Sequence, residues 1–398
     1  MRTYLDHMLR KFYAATNWNE DNLYSNVTVT SQDLLEFPVP RGVTLNVSAL
    51  SSPVSASSYS LRNLGGLVDG TISYFYCYTG ESSTGNDVPA TDLKAALSGY
   101  RLFGPLKPPD EPWMREVIQG GRRVDHKNTM LFGKVYLPGN MLEALYVRQL
   151  SPTKQLVVAG VSGSQLRNGG TVMAQYQTNV GQWCNELIYN THEALLGFRG
   201  LYNVGYEARV ANPAITSRFS VGAEVFYSAL SKSGGVSTAM RYTNTASYTG
   251  SPLTMTLTTN PVMGHISATY AVRASADTAL ASRYDFNFYS YTSNLTVGCE
   301  LWRRQQRHIE PVATESDSEP VDVDVAIDEA ASAEPAALPA PAVRPLTGVI
   351  KASLSTNNLG LRLLWEGRAK DFLYSVGATA DLRRPALQSF GIELQYAS

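Results

Sequence analysis

The chain has 398 residues, of which 44% are hydrophobic and only 17% charged; 33 Lys and Arg stand against 34 Asp and Glu, for a net charge of -1. Soluble domains usually carry roughly 25% charged residues, so much of this surface faces something other than bulk water, and the balanced charge excludes nucleic acid as a main partner. No run of about 18 uncharged apolar residues exists, which excludes a transmembrane helix and leaves a soluble β-protein or a membrane barrel.

The first predicted element is a short amphipathic helix within residues 1–17, with Tyr4, Leu5, Met8, Leu9 and Phe12 on one face. Asp6, His7, Arg10 and Lys11 interrupt the segment and argue against a cleaved secretory signal. From Gly42 onward the hydrophobic period becomes two, the signature of strands. In 217–230, Phe219, Val221, Ala223, Val225, Tyr227 and Ala229 alternate with Arg218, Ser220, Gly222, Glu224, Phe226 and Ser228, one face apolar and the other mostly polar or small. Further apolar rows are Ile266, Ala268, Tyr270 and Val272, then Leu359, Leu361, Leu363 and Trp365, then Phe390, Ile392, Leu394 and Tyr396. Other runs begin near Leu67, Leu131, Leu142, Gln155, Thr171, Trp183, Leu195, Gly235, Leu280, Leu295, Leu346 and Phe372. The total is about twenty strands of the ~9 to 11 residues that cross a bilayer when tilted.

A soluble sandwich also alternates, so the two faces decide. The apolar rows are long, nearly uncharged and rich in Tyr and Trp near their ends, as an aromatic girdle requires, while the opposite rows mix Arg, Glu, Ser, Gly and Gln as a wet lumen does. Tight turns are expected at Asn168 to Gly170, at Gly234 and Gly235, and at Asn357 and Asn358. The fold read from the chain is an all-β transmembrane antiparallel barrel over 18–398, joined as an up-and-down meander. Two stretches break the pattern. Residues 80–129, with Pro105, Pro108, Pro109 and Pro112, form a loop insertion with a short helix near Ala90 to Leu97, and 308–345 is a Pro/Ala-rich acidic insertion expected to be disordered.

Enzyme motifs fail. His192-Glu193 starts like HExxH but Leu196 takes the second histidine's place, and Gly160-Val161-Ser162-Gly163 does not complete GxSxG. His7, His126, His192, His265 and His308 are scattered singly, with His265 on a polar strand face beside Ser267, so no catalytic site, metal or cofactor is expected. Cys77, Cys184 and Cys299 are widely spaced and odd in number, as reduced buried or lipid-facing thiols are. The sequons at Asn26, Asn46 and Asn294 carry little weight without a signal peptide. Tyr74 and Tyr76, with Tyr78, share one strand face; a membrane girdle explains them, and so does a protein contact, which makes Tyr74 and Tyr76 candidate partner residues. Arg199, Arg218, Arg273, Arg283 and Arg362 fall on the lumen face with Glu224, Glu366 and Glu393, a lining of mixed sign. The last strand places Ser389, Gly391, Leu394 and Tyr396 in an order that resembles the sorting signal of mitochondrial outer-membrane barrels.

The words Trp18-Asn19-Glu20-Asp21-Asn22-Leu23-Tyr24, Phe37-Pro38-Val39-Pro40-Arg41-Gly42, Tyr136-Leu137-Pro138, Leu142-Glu143-Ala144-Leu145-Tyr146, Leu150-Ser151-Pro152, Asn168-Gly169-Gly170-Thr171, 195–203 and Leu301-Trp302-Arg303-Arg304-Gln305 are specific in order and spacing. Together they resemble the fungal mitochondrial distribution and morphology protein 10 family. The resemblance implies a nineteen-stranded, eukaryotic-porin-like barrel with its N-terminal helix in the lumen. It also implies location in the mitochondrial outer membrane at ER-mitochondria contact sites. The implied partners are lipid-transfer subunits of the ER-mitochondria encounter structure, sorting and assembly machinery subunits, and outer-membrane phospholipids. The implied role is a scaffold for tethering, phospholipid exchange and mitochondrial morphology, and for β-barrel biogenesis including late translocase assembly. A metabolite-conducting porin-type channel is the alternative.

Overall fold

The computed structural model describes residues 1–52, 54–79, 93–103, 106, 117–119, 122–124, 128–205, 217–245, 250–304, 346–383 and 386–397. The predicted acidic insertion, His126 and His308 lie outside them, as does most of the 80–129 insertion. Two helices precede the sheet, α1 (Tyr4–Ala15) and α2 (Val29–Leu35), and a third, α3 (Leu93–Ala96), follows the third strand. The strands are β1 (Gly42–Ser52), β2 (Ser55–Leu64), β3 (Leu67–Tyr78), β4 (Val117–Gln119), β5 (Arg122–Val124), β6 (Thr129–Leu137), β7 (Met141–Ser151), β8 (Lys154–Ser162), β9 (Gly170–Asn179) and β10 (Trp183–Asn190). There follow β11 (Leu195–Val204), β12 (Ser217–Ser228), β13 (Ser233–Asn244), β14 (Leu253–Asn260), β15 (His265–Val272), β16 (Thr278–Asn287), β17 (Thr292–Arg304), β18 (Leu346–Ser355), β19 (Gly360–Ala369), β20 (Phe372–Asp381) and β21 (Ala386–Ala397). No helix among the described residues is long and apolar enough to cross a membrane.

Nineteen strands form one closed sheet, and β4 and β5 pair separately. Each barrel strand runs antiparallel to the next in sequence, so an odd number leaves the first and last pointing the same way. The ring can then close only through a parallel pair, and Gly42 to Ser48 of β1 run parallel to Gly391 to Ala397 of β21. Closure leaves no unpaired edge, the condition for a sheet to sit in hydrocarbon. All the long connections, 79–128, 205–216, 245–252 and 305–345, leave from one rim, and the other rim carries only short turns.

The alternation read from the sequence separates outside from inside. Leu45, Leu61, Ile72, Leu187, Leu196, Val225, Val297 and Leu363 are exposed on the outer wall, while Ser48, Ser58, Ser220, Thr256, Thr269 and Ser353 are buried on the inner one. Trp183, Tyr202, Tyr242 and Phe372 ring the long-loop end, and Tyr189, Tyr227, Tyr284 and Tyr289 the short-turn end. An exposed apolar band between two aromatic rings is the outer face of a bilayer-spanning barrel. Of the expected turns, Asn168 and Gly169 lie between β8 and β9, with Gly170 opening β9, and Asn357 and Asn358 lie between β18 and β19. Gly234 and Gly235 do not lie between strands: they open β13, and the chain turns at 229–232, where Lys232 takes the left-handed conformation. The strands β2 and β14 are additions to the sequence reading. In β2 the outer face itself carries Ser55 and Ser57 beside Tyr59 and Leu61, which weakens the contrast that makes period two visible, and β14 is short, with its clean alternation limited to Leu253, Met255 and Leu257.

Gly391 illustrates how the interior constrains the wall. A Cβ there would stand 2.5 Å from the backbone of Pro40, where the N-terminal segment leaves the lumen to enter β1. Gly391→Val is therefore expected to lower barrel stability by ~1 to 3 kcal/mol, the usual penalty of overpacking. Heat-dependent gel mobility of protein refolded from urea into detergent measures this without involving cellular sorting.

Candidate functional site

The site with the most structure is the lumen, because an N-terminal segment fills it. Helix α1 is capped by Thr3, whose hydroxyl accepts from the Asp6 amide while the Asp6 carboxylate accepts from the Thr3 amide and hydroxyl, a capping box. Its apolar stripe, Tyr4, Met8 and Phe12, packs on Ala56, Phe75, Cys77, Met130, Phe132 and Val147 of β2, β3, β6 and β7. Tyr4 meets Phe75 edge to face at 5.0 Å between ring centroids. This local stretch of inner wall is apolar because it faces a helix rather than water. Gln149 closes the helix end by donating to the Thr16 carbonyl, 3.3 Å.

The sequence reading counted residues 18–41 with the barrel, yet the first barrel strand begins at Gly42 and these residues continue the lumen segment. Leu23 and Val27 pack on Cys184, Leu201 and Ala239, and Leu34 and Leu35 of α2 pack on Ala271, Ala279 and Ala281. Between them sits fully buried Asn22, whose Nδ2 donates to Asn179 Oδ1 (2.8 Å) and to the Gly181 carbonyl (3.0 Å), and whose Oδ1 accepts from Asn203 Nδ2 (2.6 Å). Asn22 belongs to a sequence word that carried the family resemblance, but no periodicity marks it as a lumen residue. Part of the 80–129 insertion also enters. Leu93 and Leu97 pack with Met1, Val349 and Leu373, and the Tyr100 amide donates to Glu300, 2.9 Å. The segment thus touches the wall on every side of the ring. Each fully buried Met, Leu or Phe contributes ~1.5 to 3 kcal/mol relative to exposure.

Among the described residues, cavities of about 890, 650 and 570 Å³ lie toward the short-turn rim, beneath this segment. Their basic residues are Arg41, Arg62, Lys134, Arg199, Arg283 and Arg362, and their acidic ones Glu36, Asp69, Glu143, Glu224, Asp285 and Glu393. Many are paired: across neighbouring strands Arg62 with Asp69 (2.9 Å) and Arg199 with Glu224 (2.9 Å), with the segment Arg283 with Glu36 (2.6 Å), and along its own strand Arg283 with Asp285 (3.0 Å). Glu366 lies deeper, fully buried against Lys351 Nζ (3.1 Å) and the Met1 ammonium. Of the residues read as lumen-facing, Arg273 departs: it follows the end of β15 and donates at the long-loop rim to the Ser275 and Ala276 carbonyls.

Tyr74 and Tyr76 sit on the outer wall of β3. Tyr74 is 54% exposed and faces small neighbours, Ser57 and Gly133, so its ring stands clear of the wall. Tyr76 is half-buried between Ser55 and Leu131. In the C-terminal strand, Leu394 and Tyr396 point outward and Ser389 and Gly391 inward, where Ser389 Oγ lies 2.6 Å from Thr379 Oγ1. The pattern is therefore split between the two faces. His265 is 3.9 Å from Asp285, and Ser267 donates to Asp285 (2.6 Å) rather than to His265, so no nucleophile is relayed through the imidazole. Cys77, Cys184 and Cys299 are free thiols.

The profile described as mitochondrial distribution and morphology protein 10 matches residues 1–338 and 340–398. The chain belongs to this family. It is 43% identical over 413 aligned positions to the mitochondrial distribution and morphology protein 10 of Phaeosphaeria nodorum, 42% over 419 to that of Sclerotinia sclerotiorum and 40% over 404 to that of Yarrowia lipolytica, each covering 100% of both chains. Membership in the mitochondrial distribution and morphology protein 10 family gives the chain a role in mitochondrial distribution and morphology. The match takes in residues 1–41, so the lumen segment belongs to what this family shares.

His7 on α1 has a pKa lowered to about 4, because burial and then the nearby Lys11, Arg2 and Arg10 oppose its charge. An undocked His7 takes its proton as pH falls through ~6.5, whereas the docked one stays neutral until about 4, so the docked state weakens between those values. Asp21 and Asp33, raised chiefly by burial, act in the opposite sense. His7→Gln isolates the histidine. Digestion of residues 1–41 by a broad-range protease is expected to increase from pH 6.5 to 4 more in the parent than in H7Q.

Proposed function

We propose that this barrel is a non-enzymatic scaffold of the mitochondrial outer membrane, lodged at ER-mitochondria contact sites. There it anchors lipid-transfer subunits of the ER-mitochondria encounter structure, and it also joins the sorting and assembly machinery in β-barrel biogenesis. Phospholipid moves through the partners, while the barrel, surrounded by outer-membrane phospholipids, holds them to one membrane. The observation that supports this reading is the filled lumen: residues 1–41 and 93–103 pack against the wall all round the ring, and the cavities that remain are lined by paired charges of both signs. A selective metabolite channel needs an open path and favours a ring of one sign. A rigid closed barrel offers its rims and outer wall to other proteins instead. The reading includes no catalysis and no cofactor.

Three measurements test it. Purified in mild detergent from outer membrane, the tagged chain is expected to carry stoichiometric encounter-structure or sorting-machinery subunits by mass spectrometry. Tyr74→Ala with Tyr76→Ala is expected to lose one set of partners while the barrel keeps its heat stability, since Tyr74 stands outside the packed interior; full retention of every partner removes the tyrosines from the interface. In planar bilayers the intact chain is expected to conduct little, and deletion of residues 1–15 to raise conductance. Large steady conductance from the intact chain would favour the channel.

A further inference from the structure

Near the long-loop rim the interior holds a group of arginines that the plugging of the lumen does not explain. Arg218 and Arg241 come from the neighbouring strands β12 and β13, whose register sets Arg218 opposite Thr243 and Arg241 opposite Ser220, so the two are diagonal neighbours on the inner face. Both guanidinium groups pack on the ring of Phe103, at 5.7 Å and 4.6 Å from its centroid. Arg241 is fully buried; its Nη2 donates to the Asp21 carbonyl (3.0 Å), and its Nε and Nη1 have no partner. Arg218 has buried Nε and Nη2 without partners, and these two atoms form one complete side of the guanidinium fork.

The nearby carboxylates are already engaged. Arg101 pairs with Glu20 and, at 2.9 Å, with Asp21, and Arg10 lies 3.8 Å from Glu20. Four arginines therefore share two carboxylates, and Arg218 and Arg241 make no ion pair among the described residues. A guanidinium buried without its hydrogen bonds is among the more unfavourable arrangements a protein interior can hold, so donors placed this way are suited to an acceptor from outside the chain.

We propose that Arg218 and Arg241 bind a phosphate-class oxyanion that enters from the long-loop rim. The Nε–Nη2 side of the Arg218 fork matches two oxygens of one anion, and a further donor from Arg241, whose free Nε and Nη1 lie on different edges of its guanidinium, takes the third oxygen that a phosphate has and a carboxylate lacks. Phe103 supplies a dry wall that strengthens the charge-assisted bonds. The anion is either free phosphate or the headgroup phosphate of a phospholipid reaching over the rim, since both present the same oxygens.

The test uses the full chain in an uncharged maltoside detergent. Inorganic phosphate is expected to raise its melting temperature above that in chloride of equal ionic strength, and R218Q/R241Q is expected to lose that difference. Equal behaviour of phosphate and chloride, or an equal phosphate effect in both proteins, overturns the site and leaves water on the arginines. If the double variant does not fold, Arg218→Lys, which keeps the charge and loses the fork, is expected to weaken phosphate binding by ~10-fold or more, and unchanged affinity overturns the proposal. Native mass spectrometry separates the sources. A phospholipid adduct that phosphate displaces, absent in the variant, assigns the headgroup; a phosphate adduct alone assigns the free anion; neither adduct, with no thermal effect, overturns the site.

Discussion

A ring of nineteen strands encloses more space than its own inward side chains can fill, and the rest of this structure follows from how that space is occupied. The material is residues 1–41, laid along the inner wall before the chain becomes the wall itself. Its apolar residues create a second interior, so Phe75, Met130 and Phe132 face inward where the lumen would otherwise demand polar side chains. Its polar residues meet inner-wall amides and carboxylates, as Asn22 does with Asn179 and Asn203. The barrel has an apolar surface outside and a protein core inside, with cavities left toward the short-turn rim.

That division decides what could be read from the sequence. Strands such as β12, β15 and β21 were legible because lipid on one side and polar surroundings on the other impose a clean period of two. The stripe of α1 was legible because Tyr4, Met8 and Phe12 are spaced as a helix requires. Residues 18–41 were not, because they run as short turns and one seven-residue helix, too brief for any periodicity to register. Where the inner wall meets the segment, Phe and Met replace Ser and Thr, and the contrast between the two faces fades. Gly234 and Gly235 misplace a turn because glycine in a strand and glycine in a turn look alike in sequence.

The tyrosines of β3 were found from alternation, and the geometry adds what alternation cannot: Tyr74 stands over small neighbours on the outer wall, while its inward neighbours Ser73 and Phe75 are buried. The charged residues of the lumen were found as a mixed set, but their pairing across strands is a property of register. Register sets Arg199 opposite Glu224, and the seating of the lumen segment brings Glu36 to Arg283, so no local reading could have matched either pair. Family membership and fold thus come from patterns spread over the full length, whereas the interior chemistry depends on closure.

The parallel seam sets an order of events. Since β1 pairs with β21, neither can complete its hydrogen bonds until residues 386–397 are in place, so the ring cannot seal before its last strand is available. Residues 1–41 precede every strand of the wall in the chain but lie inside the finished ring, and sealing the seam is the step that traps them.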